Sequence, residues 1–202
     1  MDVTEHFYRP SEGHRLAHDP FNAIVAPRPI GWIGTRSRAG TPNLAPYSFF
    51  NALAYTPPLV AFSSNGYKDS VRNAEETGVF TWNLVTRPLA EAMNDTSTTA
   101  SVDEFARSGL SPADSVEVAA PRVAESPTSF ECRTATVLRL SGADGRPSDN
   151  WLCVGEVVGV HIDEDLLVDG VYQTALAQPV VRGGGPSAYF ELGDRFDLTR
   201  PA

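Results

Sequence analysis

The sequence predicts a mainly β protein, closed into a barrel or packed as a sandwich, in preference to a parallel α/β sheet. Two observations carry this. Sixteen Pro and 16 Gly in 202 residues punctuate the chain, and between them lie short runs rich in Val, Ile, Phe, Tyr and Thr. A parallel sheet would need a helix after nearly every strand, and only three stretches read as helix.

In chain order the expected strands are Ala23–Val25, Ile30–Arg36, Leu44–Phe49, Leu59–Ser64, Val79–Val85, Ser129–Leu140, Trp151–Ile162 and Val180–Arg182. Arg38-Ala39-Gly40 reads as a hairpin tip, since Gly accepts the positive φ of a tight turn. The first helix, Asp69–Thr77, has Asp69 or Ser70 as its cap, apolar Val71 and Ala74 on one face, and Gly78 as its stop. The second, Pro88–Met93, places Pro at a tolerated first-turn position. The third, Val102–Ser108, carries Asp103 and Glu104 in its first turn and ends before Gly109, in accord with the helix dipole. Ser111–Pro127 holds three prolines and reads as a long surface connection. The whole chain, 1–202, is expected to be a single domain with an N-terminal arm (1–20) and a C-terminal tail (183–202).

Composition narrows the function. Sixteen Lys+Arg against 25 Asp+Glu give a net charge of −9, which argues against a nucleic-acid-binding surface. No apolar run approaches the ~18 residues of a membrane span. The start, MDVTEHFYRP, is acidic and polar, unlike a secretory or transit peptide. Cys132 and Cys153 form no CxxC pair, and four scattered histidines make no zinc cluster, so no metal site is expected. These features fit a cytoplasmic protein that binds something small.

Two segments carry chemistry. In Asn43-Leu44-Ala45-Pro46-Tyr47-Ser48-Phe49-Phe50-Asn51, Pro46 lacks an N–H and marks an edge or a bulge. Phe49 and Phe50 beside Ser48 and Asn51 offer apolar walls with a few directed hydrogen bonds, the mixture a flat heteroaromatic ligand wants; taken alone, the segment reads more simply as a core strand followed by a turn. In Phe62-Ser63-Ser64-Asn65-Gly66-Tyr67-Lys68-Asp69-Ser70-Val71-Arg72-Asn73, a strand ends in hydroxyl residues, a Gly loop follows, and a helix begins. Free N–H groups there, with hydroxyls and Lys68, form a cradle for a phosphate; an ordinary capped helix with solvated charges is the competing reading. Asp69 is discordant beside an anion and reads better as a cap or as a partner of Lys68 and Arg72. No GxxxxGK[ST] loop is present. His161 reads as a structural histidine at a strand end, and the two cysteines as buried, inert thiols.

Taken in order, several segments resemble the flavin reductase-like family of FMN-binding split barrels. They are Ala26-Pro27-Arg28-Pro29-Ile30-Gly31-Trp32-Ile33, Pro42–Asn51, Pro57-Pro58-Leu59-Val60, Lys68–Asn73, Glu75–Phe80, Arg122–Pro127, Gly155-Glu156-Val157-Val158 and Phe196–Pro201. The resemblance implies an antiparallel six-stranded split barrel with flanking helices, paired as a homodimer with FMN near the interface. It implies that Ser48, Phe49, Phe50 and Asn51 border the isoalloxazine ring and ribityl chain. It also implies that Ser63, Lys68, Ser70 and Asn73, with Asp69 aligned beside them, gather the phosphate. The implied activity is transfer of hydride from NAD(P)H to flavin, with a partner oxygenase as one destination. The alternatives are an FMN electron carrier of flavoredoxin type without its own nicotinamide site, and a pyridoxamine-phosphate-oxidase-like or other heterocycle-binding barrel. Many relatives carry a C-terminal histidine near the nicotinamide, and none follows His161 here. Gly183-Gly184-Gly185…Tyr189 stands in its place and resembles relatives that share the Pro-Arg-Pro-Ile opening.

Overall fold

The computed structural model describes residues 4–100 and 102–201. Five strands fill the first part of the chain: β1 (Gly31–Arg36), β2 (Pro42–Tyr47), β3 (Phe50–Tyr55), β4 (Pro58–Asn65) and β5 (Val79–Asn83). Two short pieces, β6 (Pro112–Ala113) and β7 (Arg122–Val123), precede the long pair β8 (Thr128–Ser141) and β9 (Pro147–Ile162). Two small hairpins complete the set: β10 (Leu167–Val168) with β11 (Val171–Tyr172), and β12 (Val181–Arg182) with β13 (Tyr189–Phe190). The helices are α1 (Phe21–Ile24), α2 (Asp69–Thr77), α3 (Ala90–Asp95) and α4 (Glu104–Ser108).

The main sheet is antiparallel and runs β2-β1-β5-β8-β9-β4-β3. Its two edge strands, β2 and β3, are consecutive in the chain and only Ser48 and Phe49 separate them. Edges joined by two residues cannot lie at opposite ends of a flat sheet, so the sheet curls until β2 meets β4 across an open seam. This is a mainly β barrel, split along one side, with seven strands in place of the six expected.

The apolar pattern explains the two cores. Neighbours along a strand point to opposite faces, and β1 is buried on both: Trp32 packs outward under α3 and α4 with Leu44, Met93 and Phe105, while Ile33 packs inward with Phe62, Phe80, Cys132 and Cys153. Val71 and Ala74 of α2 join the inner cluster, and Gly78 ends that helix in the left-handed conformation at φ 74°. Gly155 of β9 is required by packing, because a Cβ there would lie 2.4 Å from the Phe80 ring.

Several expectations need correction. Ala23–Val25 is no strand; the chain forms α1 there, fully exposed, so its apolar run reflects no sheet burial. Leu44–Phe49 is not one strand: pairing to β1 stops at Tyr47, and a separate, unforeseen strand β3 starts at Phe50. Its residues Asn51–Tyr55 are all exposed, so the inside–outside alternation that marks a strand is missing. The caps expected for α2 are replaced by Lys68 at the N-cap, with no side-chain cap bond. A 3-10 turn (Arg87–Leu89) leads into α3, and α4 starts at Glu104 with Asp103 accepting from the Ala106 N–H at 3.1 Å. The Ser111–Pro127 connection is not all surface, since Val118, Ala120 and Val123 are buried. Pro46 does sit on an edge strand, where its missing N–H costs no ladder bond.

Candidate functional site

Strand β4 ends in Ser63-Ser64-Asn65, Gly66 turns the chain, and α2 begins five residues after Ser64. Its first N–H groups have no intrahelical partner. Beside them is a cavity of about 250 Å³. Asn43, Ala45 and Tyr47 of β2 line one wall, Lys68, Asp69 and Ser70 another, and Thr98, Thr99 and Glu104 the third.

A buried polar network forms the cavity's floor. The Asn43 Nδ2 donates to Ser70 Oγ at 3.0 Å and to Thr35 Oγ1 at 3.1 Å, and the Asn73 Nδ2 donates to the same Thr35 oxygen at 3.1 Å. Burial pushes the Tyr47 phenol above its ordinary pKa, while hydrogen bonds with Ser70 and Ser64 pull the other way. Asn73 Oδ1 is buried with no partner among the described residues. That oxygen needs a donor, such as a water, and cannot serve an anion directly.

The charges sort themselves. Asp69 is engaged by the Arg72 guanidinium one turn along the helix, which leaves the exposed Lys68 ammonium to face other groups. Burial pushes the Glu104 carboxyl above the usual carboxylate range, opposed by its own N–H and that of Leu44. Burial thus disfavours the charged form of Glu104, the form that would repel an anion.

The turn between β2 and β3 forms the second part. Phe50 stacks on Trp82 with centroids 5.5 Å apart and planes within 3°, making a rigid aromatic wall. Phe49 is exposed, Ser48 half-buried, and the exposed Asn51 side chain accepts from the Ala52 N–H at 2.9 Å. The Ser63 N–H donates to the Phe49 carbonyl at 2.8 Å, and Ser63 Oγ accepts from Asn150 Nδ2 at 3.2 Å. The structure therefore brings Ser63 to the turn, and Lys68, Asp69 and Ser70 to the cavity, with Tyr47 between them. Asn73 sits one turn deeper, beneath the cavity.

Sequence reasoning did not single out Asn43, Tyr47, Thr98, Thr99, Glu104 or Asn150. Asn43 and Tyr47 lay within a motif already under scrutiny, and the hydroxyl run Thr96-Ser97-Thr98-Thr99 was a readable signal. His161 is remote from the cavity: it hydrogen-bonds Glu131, a fully buried carboxylate that also accepts from the N–H groups of Val116, Glu117 and Val118 at 2.8, 2.6 and 3.0 Å. Tyr189 lies under the Arg182 guanidinium, 4.6 Å from its ring centroid. Burial pushes both thiols up, Cys153 to about 12, so neither is a nucleophile near neutral pH. Among the described residues no group of three His, Cys, Asp or Glu is placed to hold a metal, and no helix is long and apolar enough to cross a membrane.

Comparison with known proteins identifies the family and the fold. The family model for the flavin reductase like domain matches residues 25–177. An uncharacterized protein of Halalkalibacterium halodurans is 36% identical over 184 residues, which cover 88% of this chain and 87% of that one. Nitrilotriacetate monooxygenase component B from Bacillus cereus superposes with a TM-score of 0.84 at 27% identity, covering 98% of each chain. The 2-nitrobenzoate 2-nitroreductase NbaA of Pseudomonas fluorescens gives 0.80 at 29% identity, covering 90% of this chain and 88% of that one. On the match over residues 25–177 and the shared split barrel, the chain belongs to the flavin reductase-like family.

Proposed function

We propose that the chain is an FMN-binding NAD(P)H:flavin oxidoreductase, with the FMN phosphate at the start of α2 and the ring against Ser48–Asn51. One observation supports this reading: Tyr47 lines the cavity beside Lys68 and Ser70 and is followed directly by the aromatic turn, whose Phe49 carbonyl takes the Ser63 N–H. The donor set fits a phosphate, since Lys68 brings positive charge and Thr98 and Thr99 bring hydroxyls, while Arg72 holds Asp69.

When bound there, FMN supplies the acceptor for hydride from a nicotinamide donor. The chain's own residues bind and orient. Asn43 holds the Ser70 hydroxyl in place on the cavity wall. The Phe50–Trp82 stack, packed on the inner core, stiffens the start of β3 beside the turn. Hydride transfer asks for no protein acid or base, and no side chain in the site need supply one.

The reading includes a homodimer. Leu53, Tyr55 and Val160 are exposed along an apolar groove of about 510 Å³ on β3, β4 and β9, and a second copy of the chain is the occupant proposed for it. It also includes a partner oxygenase, supported by the likeness to a monooxygenase component, and a cytoplasmic location, supported by two free buried thiols. Stopped-flow mixing of FMN-loaded protein with NADH and with NADPH tests the activity. Rapid loss of the oxidised-flavin absorbance with one of them is expected. A flavin that stays oxidised with both, yet accepts electrons from a partner protein, would replace the reductase with an electron carrier.

A further inference from the structure

We propose that Arg28 is the positioning residue of the Ser48–Phe49 turn, and that it ties the shape of that turn to the Gly183–Gly184 segment. The functional meaning of the turn rests on the FMN reading above; its mechanics do not.

Arg28 is 7% exposed, and every side-chain hydrogen bond described for it goes to a backbone carbonyl. Its Nε donates to Ser48 at 3.2 Å, its Nη1 to Val25 at 2.6 Å and also to Asn22, and its Nη2 to Gly183 at 2.9 Å. The main chain adds a reciprocal pair with Arg182, at 2.9 and 2.8 Å. The guanidinium also lies 5.8 Å from the centre of the Phe49 ring. One side chain thus joins three segments far apart in sequence, and one of them is the seam of the barrel.

Only a guanidinium can do this. Its donors form a planar fork that reaches in several directions at once, whereas an ammonium is a single point. Burying a cation is costly unless its donors are met, so the four carbonyls are held as firmly to Arg28 as it is to them. Losing the fork frees the Ser48 carbonyl, the direct neighbour of the Phe49 carbonyl that takes the Ser63 N–H.

Gly184 supplies an independent handle on the same unit. A Cβ at Gly184 would lie 2.3 Å from the Ala23 Cβ and 2.5 Å from its Cα. Any larger residue must push the segment 183–184 away from residues 22–25, the two segments that Arg28 bridges. The glycine run that stands near the C-terminal end thereby acquires a role at the turn without touching it.

The test is hydrogen exchange on flavin-free wild type, Arg28→Lys and Gly184→Ala, followed by FMN titration and visible circular dichroism of the loaded proteins. Amides of residues 48–51 and of Ser63 are expected to exchange about tenfold faster in both variants, while β8 and β9 keep wild-type protection. FMN is expected to bind about tenfold more weakly, and at saturation the flavin's dichroic band should change shape. Wild-type exchange at 48–51 in a folded Arg28→Lys protein would overturn the proposal. Faster exchange with unchanged FMN affinity and dichroism would uphold the positioning and overturn the placement of the ring at the turn.

Discussion

In the FMN reading proposed above, Lys68 is the residue on which phosphate recognition most depends. The chain carries −9 overall, so a dianion approaching it meets net repulsion except where a local cation faces it. Arg72 is spent on Asp69, which leaves Lys68 as the cation on the cavity wall. Lys68→Ala is expected to weaken FMN about thirtyfold, as the loss of one charge-assisted hydrogen bond does. Riboflavin, without the phosphate, should lose almost nothing, and fluorescence titration of both ligands checks the pair of outcomes. Equal losses would mean that Lys68 acts through the fold. Lys68, Asp69 and Ser70 were legible as neighbours because a Gly loop and a helix start follow one another in sequence; Ser63 was read with them and lies instead at the turn, against Phe49 and Asn150. Asn43, Thr98 and Thr99 were not, because what brings them there is tertiary: β2 lies beside α2, and the segment after α3 folds back over both.

At the scale of elements, the unread strand β3 and the misread connection have different causes. Strand β3 leaves its Asn51–Tyr55 side chains exposed, so no alternation betrays it, and Ser48–Phe49 looks like strand continuing. The 111–127 connection looks like surface because its anchors lie elsewhere in the chain: Asn83 accepts from the Val123 N–H, Thr81 donates to the Pro121 carbonyl, and Glu131 is the charged one. Glu131 takes N–H groups from Val116, Glu117 and Val118 and so stitches the connection onto β8. Burial alone would raise its carboxyl; the Val116 N–H, His161 and the other two N–H groups outweigh that and hold it below the ordinary value. A carboxyl lowered in the folded state adds stability that is present above its unfolded value, about pH 4.3, and is lost as pH falls through the folded value. Glu131→Gln is therefore expected to destabilise by about 3 kcal/mol at pH 7. The gap to wild type should hold down to about pH 5 and shrink below about pH 4, read from urea midpoints across that range. A gap that widened in acid would contradict the sign.

For the molecule as a whole, the barrel's closure decides where the site lies. The Ser48–Phe49 turn, proposed above to border the flavin, joins the two edge strands β2 and β3 at the open seam, next to the apolar groove proposed as the dimer face. Light scattering at micromolar concentration is expected to return twice the 21.8 kDa chain mass. A monomer that still bound FMN would detach the site from any interface. The fold class was legible because short β-rich runs between turn residues leave few other architectures. The number of strands was not, since it hinges on that two-residue break. The central claim is that the start of α2 recognises a phosphate within a flavin site. It is tested most directly by titrating the wild-type protein with FMN and with riboflavin under one salt condition. Several charge-assisted hydrogen bonds at ~1.5–3 kcal/mol each predict FMN to be bound more than tenfold the tighter. Equal dissociation constants would contradict it.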